Sequence, residues 1–456
     1  MTQMMRPQDL KADIPEDHDD ALTSGDMLSA RIVALNLLED VLGRKNPLDI
    51  ALENSADFRT LPARDRSFCR MLVSTALRRL GQVDDLITKS EERPGNKTLL
   101  LQNILRLGVT QIMFMNVPDH AAVDTSVRIA ESCGMDRQKG FVNGLLRTVA
   151  RIGKEWLARQ DEGRLNTPEW LLKIWIDDFG LKTAAQIARA NLAEAPLDIT
   201  LRDEADRNFW ASNLKASEVG NGTLRRIAGG PVHEIPGYDE GSWWIQDAAA
   251  AIPALLFGDI KGKTVIDLCA APGGKSAQLA ARGANVIAID RSAQRLKKLE
   301  ANLARLRLAD KVQVIASDAS SWKPKEPAQF ILVDAPCTAT GTIRRHPDVP
   351  HLKSMRDLES LVPTQMRILE NAFNILAPGG VLVYCTCSLQ KCEGEDQIHH
   401  LLSQHPNAAK IAITPKEIGD IADAVTENGD VRTLPFHLAA SGGIDGFFIS
   451  RITKAG

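Results

Sequence analysis

The chain has 456 residues, 44% of them apolar and 25% charged, with a net charge of −3. That length exceeds one ordinary domain and that composition is globular, so two or three soluble domains are expected. Seven unevenly spaced cysteines exclude a disulfide framework and read as thiols of a reducing compartment.

The first twenty residues lack the apolar core of a secretory signal. The longest apolar run, AAAAIPALLF, is shorter than a membrane span and holds Pro253. A cytoplasmic protein with no membrane partner is expected. Residues 1–30 carry seven acids against Arg6 and Lys11, a net of −5 that leaves +2 on the rest. An acidic tail over 1–26, expected to be disordered, therefore masks a slightly basic body that permits an RNA ligand.

Residues 27–155 read as helices. SARIVALNLLEDVLG sets Val33, Leu37, Val41 and Leu42 on one stripe and stops at Gly43. TLLLQNILRLGVTQIMFM and KGFVNGLLRTVARIG continue the pattern, and DHAAVDTSVRIAESCG takes Asp119 as its N-cap. Residues 156–242 are mixed, an α+β segment in which a Trp-rich helix precedes APLDITLR, which alternates like a strand. From 243 onward KTVIDLCA, ANVIAID, KVQVIASD, AQFILVDAPC and GGVLVYCTCS are apolar runs separated by helical stretches. That alternation predicts a mostly parallel sheet covered on both faces, an α/β domain with its ligand crevice beyond the strand ends.

The chemistry collects at those ends. Asp267-Leu-Cys-Ala-Ala-Pro-Gly-Gly-Lys-Ser follows the first strand but is not a phosphate loop, because Cys269 stands where that loop requires glycine. It is a tight turn of small residues, Cys269, Ala270, Ala271, Pro272, Gly273, Gly274 and Lys275, that lets a ligand approach the backbone. Asp290 closes the second strand, where such folds hold ribose hydroxyls, and Asp318 closes the third, within reach of an adenine amino group. With acids and no phosphate cradle, S-adenosylmethionine fits better than a nucleotide. The fourth and fifth strands end in Asp334-Ala-Pro-Cys337 and Thr386-Cys387, which places two thiols at neighbouring ends.

These motifs, with Gln365-MRIL, LAPGG and DGFF, resemble the RsmB (Sun) family of ribosomal RNA cytosine-C5 methyltransferases across 230–456. VPDHAAVDTSVRIA and GFVNGLLR resemble the NusB-like helical domain of the same family. The resemblance implies a NusB-like RNA-binding domain over 27–155, a small linking domain over 156–242 and a Rossmann-like class I methyltransferase with a seven-stranded sheet over 243–456. It implies Cys387 as the nucleophile that adds to C6 of cytosine and Asp334 as the residue facing N3. Cys337 then assists proton removal or release of product. The cofactor implied is S-adenosylmethionine, bound by the 269–275 turn with Asp290, Asp318 and Asp334. The partner implied is small-subunit ribosomal RNA before full assembly, acted on by a monomer.

Arg344, Arg345 and His346 are candidate RNA contacts, while Arg225-Arg226 and Arg147 with Arg151 read more readily as solvated pairs. Transfer RNA is the alternative substrate. A non-catalytic RNA-binding or antitermination protein is the alternative of another class. A zinc protein using Cys385, Cys387, Cys392 and a histidine is disfavoured, since C-x-C-x4-C lacks a structural knuckle, and no metal is expected. Cys385 and Cys392 read as bystanders, and Glu393, Glu395 and Asp396 read as acids at a helix N-terminus.

Overall fold

The computed structural model describes residues 26–91, 95–226 and 230–456. Most of the acidic tail lies outside them. The first half is helical, running from Asp26–Leu42 through Leu99–Phe114 and Asp119–Ser132 to Lys139–Leu157. Val33, Leu37 and Val41 pack into one apolar core with Leu105, Val109, Leu146 and Val149, while Leu42 stays at its edge. Asp119 is the first residue of its helix, not its cap, because Pro118 supplies the extended entry.

The Trp-rich helix Glu169–Ala190 is broken at Gly180, whose φ of 79° and ψ of 160° suit only glycine. Beyond it lies an antiparallel sheet of β1 (Leu197–Leu201), β2 (Ser217–Val219), β3 (Thr223–Arg226) and β4 (Trp243–Ile245), in the order β2-β3-β1-β4. β4 pairs with β1, so this sheet continues past residue 242.

The large sheet holds β5 (Thr264–Leu268), β6 (Asn285–Asp290), β7 (Val312–Ala316), β8 (Ala328–Asp334), β9 (Leu376–Thr386), β10 (Ala408–Lys410), β11 (Val431–Thr433) and β12 (Phe447–Lys454). Seven strands run in the order β10-β12-β9-β8-β5-β6-β7, and β11 is an added eighth on β12. β5 to β9 pair in parallel, and β12 closes antiparallel on β9. Successive residues serve opposite faces: Leu332 and Val383 enter one core, Ile331, Val333, Leu382 and Tyr384 the other. Two buried faces are why these strands read as unbroken apolar runs.

Helices Gly274–Ala281, Ala293–Arg305 and Met355–Ile375 accompany the sheet. In Ala293–Arg305, Leu296, Leu299 and Leu303 face inward, which leaves its lysines and arginines as the polar outer face. The chain winds from β5 to β7 in one direction and returns to β8 on the other side of β5. The crevice at that reversal lies beyond the carboxyl ends of β5 and β8.

Candidate active site

The turn after β5 is built for close approach. Cys269 has φ of +65° and Gly273 φ of +105°, and a Cβ on Gly273 would lie 2.8 Å from Leu299 Cγ. Only glycine meets both demands there. Ala270 N–H donates to Ile289 O at 3.0 Å, and Ala271 N–H donates to Asp290 Oδ2 at 3.2 Å. Asp290 is buried and also accepts from Ser292 N–H at 2.9 Å. Its carboxylate thus fastens the turn that leads into the helix bearing Lys275.

Lys275 points to the next strand end, where its Nζ lies 2.7 Å from Asp334 Oδ2. Burial, the largest single effect, would lower the Lys275 pKa, but the raising effects together, Asp334 foremost, hold the ammonium above its ordinary value. Cys385 is fully buried, and its thiol donates to Asp334 Oδ1 at 3.5 Å. It was read as a bystander, yet it touches the site's central acid. Burial, followed by the charge of Asp334, pushes that thiol well above its usual range.

β8 and β9 pair with Asp334 opposite Cys385. Just past both ends, Cys337 Sγ and Cys387 Sγ stand 3.4 Å apart. The hydrogen bond to Cys387, then burial, raises the Cys337 pKa, and either sulfur can donate across the contact. Lys275, Asp334, Cys337 and Cys387 therefore form one constellation, two thiols in contact beside an acid paired with an ammonium.

Other expected residues are placed differently. Asp318 is exposed at its strand end and accepts from the backbone and hydroxyl of Ser320 at 2.8 and 2.7 Å, both on Oδ1, which lowers its pKa. Arg344 is 1% exposed and donates to Gly442 O. Arg345 is engaged by Asp247 at 2.5 Å and Asp445 at 3.0 Å. Both guanidiniums fasten segments of the fold, Arg344 fully buried and Arg345 with 19% of its side chain exposed. His346 alone of the three keeps a half-exposed side chain, 3.4 Å from Asp49. Arg225 is likewise internal, paired with Asp198 at 2.7 Å. Arg147 and Arg151 line an open groove between Asp119–Ser132 and Lys139–Leu157 that also holds Asp119 and Asp124.

Two buried acids lie outside the expected site residues. Asp267 is fully buried, accepts from the Ser276 hydroxyl and leaves Oδ1 without a partner. Glu393, read as a helix N-terminal acid, lies inside the molecule, and the helix begins at Glu395. The signal for Asp267 was its place at a strand end. Glu393 gave none, because burial of a single acid leaves no periodicity. Among the described residues no three His, Cys, Asp or Glu side chains are grouped as a metal site, and no helix is long and apolar enough to cross a membrane.

Comparison with known proteins gives two family matches: 16S rRNA methyltransferase RsmB/F over residues 255–453 and the NusB family over 28–151. A Vibrio vulnificus protein named ribosomal RNA small subunit methyltransferase B is 32% identical, over 84% of this chain and 92% of that one. The solved structure of PH0851 superposes with a TM-score of 0.74 at 22% identity, covering 95% of this chain and 100% of that one. NSun6 from Pyrococcus horikoshii, solved with SFG, gives a TM-score of 0.53 at 20% identity, covering 63% of this chain and 98% of that one.

Proposed function

Because the chain belongs to the ribosomal RNA small subunit methyltransferase B family, whose members use S-adenosylmethionine, we propose that it methylates C5 of a cytidine in 16S ribosomal RNA through a covalent adduct on Cys387. The observation that carries this reading is the pair of thiols 3.4 Å apart at adjacent parallel strand ends.

The site suits a cationic cofactor. Asp267, Asp290 and Asp334 stand around the strand ends; Lys275 pairs with Asp334, Arg295 lies 3.5 Å from Asp290, and Asp267 Oδ1 has no partner. These carboxyl oxygens give the sulfonium or ammonium of S-adenosylmethionine acceptors to face. The 269–275 turn with Asp290 would hold it, and when bound it supplies the electrophilic methyl group that C5 takes.

Cytosine C5 is a poor nucleophile until a thiolate adds at C6. The Cys387 thiolate, its proton given up to solvent, forms the C6–S bond, the C5=C6 pair moves to C4–C5 and the C4=N3 pair onto N3, and N3, faced by Asp334, takes a proton from the Asp334–Lys275 pair. After C5 carries its methyl, the C5 proton passes to Cys337 as that thiol hands its own proton on, the C–H pair restores the C5=C6 double bond, the C6–S pair leaves with the sulfur, and N3 returns its proton to the Asp334–Lys275 pair. Cys337, protonated and in hydrogen-bond contact, returns a proton to the departing sulfur. The base has to leave any stack to meet these groups, so an unpaired or flipped cytidine is the substrate.

The test uses purified protein, 16S ribosomal RNA and S-adenosylmethionine. 5-Methylcytidine should appear in that RNA, Cys387→Ala should give no RNA adduct on a denaturing gel, and Cys337→Ala should accumulate one. An adduct with Cys387→Ala and none with Cys337→Ala would exchange the two roles. Methylation of transfer RNA alone would overturn the substrate.

A further inference from the structure

Glu393 is fully buried beneath the two thiol loops, and four donors converge on its carboxylate. Thr338 N–H donates to Oε1 at 2.9 Å and Gln365 Nε2 donates to the same oxygen at 2.8 Å. The hydroxyls of Thr338 and Ser388 both point to Oε2. Thr338 follows Cys337 in the chain and Ser388 follows Cys387, so one carboxylate grips the residue beside each sulfur. Gln365 also donates to Pro336 O at 2.9 Å, on the other side of Cys337.

Backbone bonds join the two loops only at their margins, Ala335 N to Cys385 O at 3.0 Å and Gly341 N to Cys387 O at 2.9 Å. Between those margins the cross-links run through side chains, and Glu393 is where four of them meet. All four donors are neutral groups. A carboxylate buried without a cation is an expensive way to make a cross-link that an amide could also make. Its charge has a second effect, since it adds to the hydrogen bond and the burial that keep the Cys337 proton in place.

We propose that Glu393 is a positioning residue that sets the separation and orientation of the Cys337 and Cys387 sulfurs. It touches neither sulfur and acts through Thr338 and Ser388. The proposal rests on the two-thiol reading above for its link to methyl transfer, but not for its geometric content. Reactions between held groups lose rate steeply when alignment slips, so loosened loops should slow any step in which the two sulfurs take part.

Two variants of the full chain test this. Glu393→Gln replaces an acceptor oxygen by a donor facing other donors, and Thr338→Val removes one hydroxyl while keeping shape. Two readouts are taken, with thermal unfolding recorded for each variant. The first is steady-state methylation of 16S ribosomal RNA. The second is the rate at which diamide closes the Cys337–Cys387 disulfide, mapped on peptides. In that reaction the two thiols lose two protons and two electrons, the sulfurs join, and the diazene becomes a hydrazine.

For Glu393→Gln, both kcat and the closure rate should fall at least tenfold, with KM for RNA and for S-adenosylmethionine within threefold. Thr338→Val should shift both rates the same way by less. A folded Glu393→Gln protein with closure and kcat within twofold of the parent overturns the proposal. If that variant does not fold, unchanged rates in Thr338→Val overturn it instead. Should the parent form no 5-methylcytidine while closure still slows in the variants, the functional reading fails and the positioning role stands.

Discussion

Asp267 shows how burial at a strand end sets the behaviour of one residue. Removal from water pushes its carboxyl from 3.8 up to about 7; the Ser276 hydroxyl works against the rise, and Asp334 and Asp290 add to it. An acid with a higher pKa in the folded chain holds its proton preferentially there. Its contribution to stability is complete below the unfolded value near 3.8 and is lost as pH rises through about 7. Asp267→Asn, which cannot ionise, should therefore gain thermal stability relative to the parent between pH 5 and pH 8. A difference in unfolding temperature that stays constant across that range would show that Asp267 does not titrate there. Asp445, also pushed to about 7 by burial and the nearby Asp247, adds the same slope to both proteins and cancels. The quoted motif contained Asp267, and the thiols were legible because their sites follow recognisable strand ends. The burial of Asp267, Glu393 and Arg344 was not, since each depends on chain segments far away in sequence that cover it.

At the scale of elements, legibility followed length and periodicity. β5, β6, β8 and β9 were readable because two covered faces demand apolar residues at nearly every position. β2 and β4 have three residues each, too few for alternation to register, so the small sheet showed only β1 in the sequence. What holds that sheet is a cross-strand ion pair: Asp198 on β1 opposes Arg225 on β3, with a forked contact at 2.7 and 2.8 Å. Asp198 also accepts from Ala248 N–H at 3.0 Å, and Arg225 donates to Ser441 O at 2.8 Å and Gly443 O at 2.6 Å. The pair thereby ties the small sheet to the methyltransferase unit. Arg225→Ala strands a buried carboxylate and two carbonyl acceptors, and should cost about 3 kcal/mol. Urea unfolding followed by the fluorescence of Trp210 and Trp243, which belong to this sheet's core, reads that loss. Arg225→Lys should recover little of it, because an ammonium cannot supply the two parallel bonds. Equal stability of the Lys variant and the parent would mean that the fork contributes nothing beyond charge.

In the whole molecule, the helical half docks on the segment that continues the Cys337 loop. Leu48 N–H donates to Asp348 Oδ2 at 2.9 Å, and Lys45 Nζ to His351 O at 3.2 Å. Arg78 Nη1 donates to Arg344 O at 2.9 Å, and His351 Nε2 contacts Leu77 O at 2.9 Å. These partners are separated by hundreds of residues and share no motif, so no pattern in the sequence announced the joint. Its position means that the domain matched to the NusB family rests on the segment continuing the loop that bears one of the two thiols. Asp348 is the sharpest of them, 4% exposed and the acceptor for a backbone amide at a helix start. Asp348→Ala leaves that amide unsatisfied and should weaken docking by about 1–3 kcal/mol. Amide exchange at Leu48 should then accelerate about 5-fold to 160-fold, the range those energies imply, while amides of β5 and β6 exchange as in the parent. Acceleration throughout both regions would instead mean that the substitution destabilises the catalytic sheet itself. Unchanged exchange at Leu48 would remove Asp348 from the joint and leave Arg78 and His351 to hold it.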